Sequence, residues 1–279
     1  MVVEFDEELF PNKLRKIKPK VERLFVKGDI SILSEFGLAV IGSRNSSKEG
    51  ERITDEFVGK LCGDYNINII SGLALGIDSR AHRACLACGG KTIAVIGSGF
   101  NHVYPKENHE LFKKIIESGG VVVSEYPPDT EAKSEFFPMR NRIVSGLSDG
   151  VLMIEGKYRS GTTITAKYAL KQGKPVFCLP HSIYNAYGTG PNSIIRSGGR
   201  LIVGYNDIVD FYKLNGVELT RVSKKSGVYD DAILDVLADD VLSREEIARR
   251  LKMPIAEVNQ RLTMLELDGL ISEELRERI

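Results

Sequence analysis

The sequence lacks most of what would mark a secreted, membrane or metal-binding chain. Four cysteines in 279 residues are too few for the disulfide framework of a small secreted protein. No apolar run approaches the roughly 18–20 residues needed to cross a bilayer. The opening Met1-Val2-Val3-Glu4-Phe5-Asp6-Glu7-Glu8 is acidic where a secretory signal is basic and then apolar. Charge of one sign is missing too, since 38 basic and 38 acidic residues cancel. His82, His102, His109 and His181 fall in no metal-ligand spacing. His82, Cys85 and Cys88 share one helical face, but a fourth zinc ligand is lacking. Neither a Walker lysine motif nor a nucleophile elbow occurs. With 42% hydrophobic residues the chain buries a core rather than staying disordered. The expectation is a cytoplasmic protein with no membrane contact, no metal and no cofactor.

The zero net charge hides an asymmetry. Residues 229–279 hold 7 basic and 13 acidic side chains, a net of −6, which leaves +6 on residues 1–228. A basic body and an acidic tail suit different partners. The polar stretch Ser223-Lys224-Lys225-Ser226-Gly227 reads as a linker. The expected organisation is an N-terminal extension (1–36), a main domain (37–222), a linker (223–228) and a small C-terminal domain (229–279).

In the main domain one pattern recurs: a short apolar run, a glycine-containing turn, then a longer mixed segment. The runs are residues 38–41, 67–70, 92–96, 121–123, 151–154, 175–179 and 201–203. Continuous Val- and Ile-rich runs read as strands buried on both faces, the mark of a parallel sheet. The segments between them are long enough for crossover helices; residues 51–62, 77–86 and 163–170 have helical spacing. The expected fold is α/β, a Rossmann-like, doubly wound, mostly parallel sheet. Leu24 to Asp29 reads as a strand and turn leading into it. The tail reads as three helices: one around Ile233–Leu237, one capped by Ser243 with Glu246 as its capping-box partner, and one opening at Pro254. With the turn and short strand at Asp268-Gly269-Leu270-Ile271 they make a winged helix.

The strand-to-helix loops carry the chemistry. Ile41-Gly42-Ser43-Arg44, Ser71-Gly72-Leu73-Ala74-Leu75-Gly76-Ile77-Asp78 and Arg159-Ser160-Gly161-Thr162-Thr163 combine glycines with a helix start, and the first and last add an arginine. Backbone N–H groups at helix starts bind anions, and an arginine fork matches a phosphate. Asp78 is placed to cap its helix. Gly97-Ser98-Gly99 begins like a dinucleotide fingerprint but lacks the third glycine, and the chain continues through Tyr104-Pro105-Lys106. Phe136-Phe137-Pro138-Met139-Arg140-Asn141-Arg142 interleaves cations with aromatics, a composition that suits single-stranded nucleic acid; at least one of the two phenylalanines is expected in the core. In an open α/β sheet these loops share the carboxyl edge. Arg44, Lys106, Arg140, Arg142 and Arg159 are therefore expected to converge on one crevice that takes a polyanion or nucleotide.

Taken in order, these loops, together with Ser124-Glu125-Tyr126 and Ser160-Gly161-Thr162-Thr163-Ile164-Thr165-Ala166, resemble the DNA processing protein A (DprA/Smf) family over about residues 22–212. The tail from Leu262 to Ile271 is similar to that family's winged helix. The resemblance implies a non-enzymatic protein of natural transformation and recombination. Such a protein binds and protects incoming single-stranded DNA, dimerises with a second copy through the Rossmann-like domain, and helps load a RecA-type recombinase. It implies a DNA pocket at Arg44 and Lys106, with Arg140, Asn141 and Arg142 beside them. Ser71, Gly72, Ser160 and Gly161 would supply backbone or hydroxyl contacts to phosphate. Residues 1–36 do not read as the helical domain that often precedes the Rossmann part, and Leu179-Pro180-His181 departs from the family's usual Pro-Gly.

A nucleotide phosphoribohydrolase of related fold is the alternative. Those enzymes use Gly-Gly-x-Gly-Thr-x-x-Glu, with the Glu as acid–base; here Thr165 stands at the Glu position, and a threonine cannot take that role. For the tail, the third helix and its turn carry Arg261 against Glu257, Glu266 and Asp268, so the expectation is a protein contact or autoregulation rather than DNA binding.

Overall fold

A computed structural model describes residues 1–219, 232–237, 242–267 and 271. The chain separates into two compact units, Met1–Ser223 and Lys224–Ile279. The linker expected at 223–228 and the turn at 268–270 lie outside the described residues.

The first unit is built on one nine-stranded sheet. Its strands are β1 (Val2–Glu4), β2 (Arg23–Gly28), β3 (Gly37–Ile41), β4 (Asn68–Ser71), β5 (Thr92–Ile96), β6 (Val121–Ser124), β7 (Gly150–Met153), β8 (Val176–Cys178) and β9 (Arg200–Leu201). They lie in the order β1-β2-β6-β5-β4-β3-β7-β8-β9. β3 to β9 are joined by parallel pairings. β1 and β2 add an antiparallel edge beside β6. Residues 1–36 thus contribute two strands to the sheet itself.

Helices cover both faces: α1 (Asn12–Arg15), α2 (Lys48–Tyr65), α3 (Ile77–Ala87), α4 (His109–Glu117), α5 (Phe136–Leu147), α6 (Gly161–Lys171), α7 (Thr189–Arg196) and α8 (Asn206–Leu214). Alternation along β3 shows why both faces must be covered. Leu38 and Val40 pack in a core with residues of α2, α3 and α8, while Ala39 and Ile41 pack opposite with residues of α1, α5, α6 and α7. The chain leaves β3 for β4 on one side and returns to β7 on the other. That reversal is a topological switch, where an open α/β sheet has its crevice at the carboxyl ends of the strands.

The second unit holds α9 (Ala232–Leu237), α10 (Arg244–Leu251) and α11 (Ile255–Leu267). Ile233, Ile247, Val258, Leu262, Leu265 and Ile271 form its core. The Ser243–Glu246 capping box opens α10.

Candidate nucleic-acid interface

The cleft at the switch encloses about 830 Å³. Its walls come from the loop after β3, the loop after β4, the start of α5 and the start of α6. Local rules shape each wall. Ser47 caps α2 by accepting from the Gly50 N–H at 2.9 Å. The buried Glu155 carboxylate accepts from the Ser47 N–H at 2.9 Å and its hydroxyl at 2.6 Å, tying the end of the β3 loop to the segment after β7. Ser160 and Thr163 form a capping box at the start of α6. Gly76 has φ +75°, and a Cβ there would lie 2.2 Å from the Ser43 carbonyl oxygen, so the loops after β3 and β4 meet only over a glycine.

Seven of the ten residues singled out from the sequence line this cleft: Arg44, Gly72, Arg140, Asn141, Arg159, Ser160 and Gly161. Arg44 is exposed, and its guanidinium lies 5.2 Å from the centre of the Phe137 ring. Phe137 in turn meets Tyr104 at 5.6 Å between ring centres. Asn141 is held by its amide donating to the Gly161 carbonyl at 3.1 Å. The Ser160 hydroxyl serves its helix, donating to Lys157 O at 2.8 Å and accepting from the Thr163 N–H.

Arg140 forms part of the cleft wall from a buried position, 4% exposed. It donates to the Gly72 and Val95 carbonyls. Asp78, at the start of α3, accepts the Gly72 N–H at 3.1 Å. The Gly72 peptide is thereby gripped from both sides, and a Cβ on it would lie 2.7 Å from the guanidinium carbon. Burial pushes the Asp78 carboxyl up and pushes Arg140 down to about 10; each opposes the other's shift, while Arg44 adds to that of Arg140. Asp78 therefore acts inside the loop. The capping position of α3 belongs to Gly76.

Three residues stand elsewhere. The Ser71 hydroxyl is buried and donates to Val40 O at 2.7 Å. Lys106 is exposed two residues beyond Tyr104 and is not among the lining residues. Arg142, expected in the crevice, is 1% exposed and forms a two-pronged pair with Glu125 at 2.6 and 2.9 Å. Its other donors reach the Pro19, Lys20 and Met139 carbonyls. The expected convergence of five cations is corrected to three lining arginines, joined by Lys157. Nor is either phenylalanine in the core: Phe136 and Phe137 are both half-buried, Phe136 stacking on Tyr126 at 4.0 Å.

Sequence reasoning missed Asn45 and Tyr187 as lining residues. Tyr187 belongs to the 181–192 segment, which is anchored by His181 Nε2 to Ile154 O at 2.9 Å and by the Gly156 N–H donating to Tyr187 O at 2.6 Å. No sequence signal announces a tyrosine that reaches the cleft from so remote a loop. His82 and Cys85 lie inside the fold, with the His82 ring 2.7 Å from the Thr92 hydroxyl and the Cys85 sulfur 3.2 Å from that of Cys62.

The profile of the family described as DNA recombination-mediator protein A matches residues 1–213, and that of the DprA winged helix domain matches residues 229–274. This chain belongs to that family. It is 37% identical over 277 residues to Protein Smf of Escherichia coli, covering 96% of this chain and 74% of that one. It is 38% identical over 213 residues to DNA processing protein DprA of Bacillus subtilis, covering 76% and 71%. The chain superposes on the crystal structure of DNA processing protein A from Streptococcus pneumoniae with TM-score 0.71 and 38% identity, over 75% of this chain and 73% of that one. A second family member, from Helicobacter pylori and described for its mode of binding single-stranded DNA, gives TM-score 0.69 and 26% identity over 78% and 98%. The fold class expected from the sequence is that of the family, with its winged helix at the C-terminus.

Proposed function

We propose that this protein binds single-stranded DNA in the cleft between β3 and β7 during natural transformation and recombination. It protects the incoming strand and helps load a RecA-type recombinase, as a cytoplasmic homodimer and without a catalytic step. The observation that carries this reading is the composition of one cleft wall: Arg44 lies over Phe137, which meets the half-exposed Tyr104. Phosphates take the charge of Arg44, Arg159 and Lys157, and bases stack on the rings, which tolerates any sequence. Gly161 and the start of α6 add N–H donors, on a turn that the Ser160–Thr163 capping box holds in place. The exposed Lys106, two residues beyond Tyr104, adds a further phosphate contact. Gly72, its N–H and carbonyl already engaged, shapes the floor, while Ser71, Arg140 and Arg142 act from behind the surface. Among the described residues no helix is long and apolar enough to cross a membrane.

The hydrolase alternative finds little support in the cleft. Thr165, at the position its carboxylate would occupy, bonds back to Gly161 O at 3.2 Å. Among the described residues the one carboxylate of the lining is Asp78, already engaged by Gly72. Titration of labelled single-stranded and duplex oligonucleotides at several salt concentrations is the test. Single strands should bind more tightly, and Arg44→Ala with Lys106→Ala should weaken them and flatten the salt slope by about 0.7 per charge removed. Unchanged affinity in that double variant would place the DNA elsewhere, and release of free base from nucleoside monophosphates would restore the hydrolase.

A further inference from the structure

A second basic groove of about 1030 Å³ lies at the far end of α6 from the cleft. One side is α1 and the residues following it; the other is the end of α6 and the turn beyond. Lys13, Arg15, Lys16, Lys18, Lys171 and Lys174 line it, and no carboxylate does. Three of these cations are anchored. Lys13 bonds Asp149 at 2.7 Å, Arg15 donates to the Phe5 and Glu7 carbonyls, and Lys174 donates to the Ser145, Gly146 and Ser148 carbonyls at the end of α5. Lys16, Lys18 and Lys171 are exposed and make no ion pair among the described residues. Five of the six charges have no ion-pair partner among the described residues and repel each other in the folded state. A bound polyanion relieves that repulsion.

The groove and the cleft share a wall. Gly161, Ile164 and Thr165 of α6 line the cleft, and Tyr168, Lys171 and Gln172, from its last turns, line the groove. These positions recur at three- and four-residue spacing, so they occupy one face of the helix. At 1.5 Å per residue the ten steps from Gly161 to Lys171 span about 15 Å, which a stacked single strand at about 3.4 Å per nucleotide covers in four to five nucleotides. We propose that the groove is a second backbone site for the same single strand, which leaves the cleft, follows α6 and places its phosphates on Lys16, Lys18 and Lys171. This rests on the cleft as the primary DNA site. The continuous α6 face favours a nucleic acid over an acidic peptide, which would need the groove alone.

The test compares labelled dT4, too short to lie in the cleft and reach the groove, with dT20, using the full chain. In the triple variant Lys16→Gln, Lys18→Gln, Lys171→Gln, dT20 affinity should fall roughly ten- to a hundredfold near 0.1 M salt, and its salt slope by about 2. Affinity for dT4 should stay within about twofold, since no phosphate contact of the short strand is removed. The corresponding triple Lys→Arg variant should retain dT20 binding, which separates loss of charge from loss of fold. Unchanged dT20 affinity and slope in the Gln variant overturns the proposal. So does loss of binding to a poly-glutamate peptide with dT20 binding intact, which would make the groove a protein contact. Failure of the wild type to bind dT4 would count against the cleft reading instead, and the lysine dependence of dT20 would still decide the groove.

Discussion

Arg140 and Arg142 are two residues apart in the sequence and face different parts of the protein. On a helix a two-residue step is a turn of about 200°, so i and i+2 do not share a face. Arg140 reaches the floor of the cleft, while Arg142 is turned toward Glu125 and the carbonyls of Pro19 and Lys20. Their alternation with Asn141 suits a nucleic-acid contact by composition, but within α5 it divides the two guanidiniums between different faces. Arg142→Ala would strip Glu125 and three carbonyls of their donor. It should cost about 3 kcal/mol in urea denaturation, the low end for a broken buried pair because Glu125 is partly exposed. A phosphate contact would instead flatten the salt slope and leave stability alone. His82 supplies a pH dependence. The Thr92 hydroxyl gives its proton to Ile69 O at 2.6 Å, so His82 Nδ1–H donates to Thr92, and Nε2 is buried with no partner among the described residues. Burial foremost, then Arg140 and Arg83, push its pKa from 6.5 down to about 3. Because the folded value lies below the unfolded one, the stability tied to neutral His82 is complete above pH 6.5 and is lost as pH falls toward 3. The stability gap between wild type and His82→Gln should therefore narrow by about 2–3 kcal/mol from pH 7 to about 4.5. Parallel profiles would assign the proton uptake to another group.

At the scale of elements, the strands were the most legible part. Runs such as Thr92–Ile96 and Gly150–Met153 are buried along their whole length, so their sequence cannot alternate and stands out as a block. The helices gave weaker signals. α5 carries Pro138 in its first turn and Gly146 near its end, where Leu14 and Ile17 press against it; both residues read as breakers when the packing is unknown. β1, three residues long, is held by pairing with β2 and by the buried Val3, which no local pattern reveals. The cleft was legible as a set of loops because glycine-rich turns at strand ends have a chemistry of their own. Which side chains line those loops depends on helix phase, and composition does not carry that. Ser160 shows the difference: a candidate phosphate contact by composition, and a helix cap by geometry. Ser160→Ala should lower stability by about 1 kcal/mol, and Ser160→Gly by only a few tenths. Thermal melts of the two variants would check this, and equal losses would show that the hydroxyl does not cap.

At the scale of the whole molecule the two units differ in charge as well as architecture. The acidic balance of residues 229–279 opposes approach to a phosphate backbone, and in α11 the Arg261 guanidinium is paired with Glu257 at 2.9 Å. An isolated 229–279 fragment, with its own apolar core, should bind neither single strands nor duplex at physiological salt, while a chain ending at Gly227 should keep most of its affinity. Fluorescence anisotropy of the two decides it; micromolar, salt-sensitive binding by the fragment would make the tail a DNA module. The antiparallel seat of β2 against β6 also sets a timetable for biosynthesis. Phe25, Val26, Lys27 and Gly28 emerge from the ribosome long before their neighbours at Val121–Ser124. At about 5–20 residues per second the intervening chain takes roughly 5–20 seconds to translate. For that interval β2 has only β1 as a neighbour, and its other edge stays open, a target for chaperones and a hazard wherever polysomes crowd such edges together.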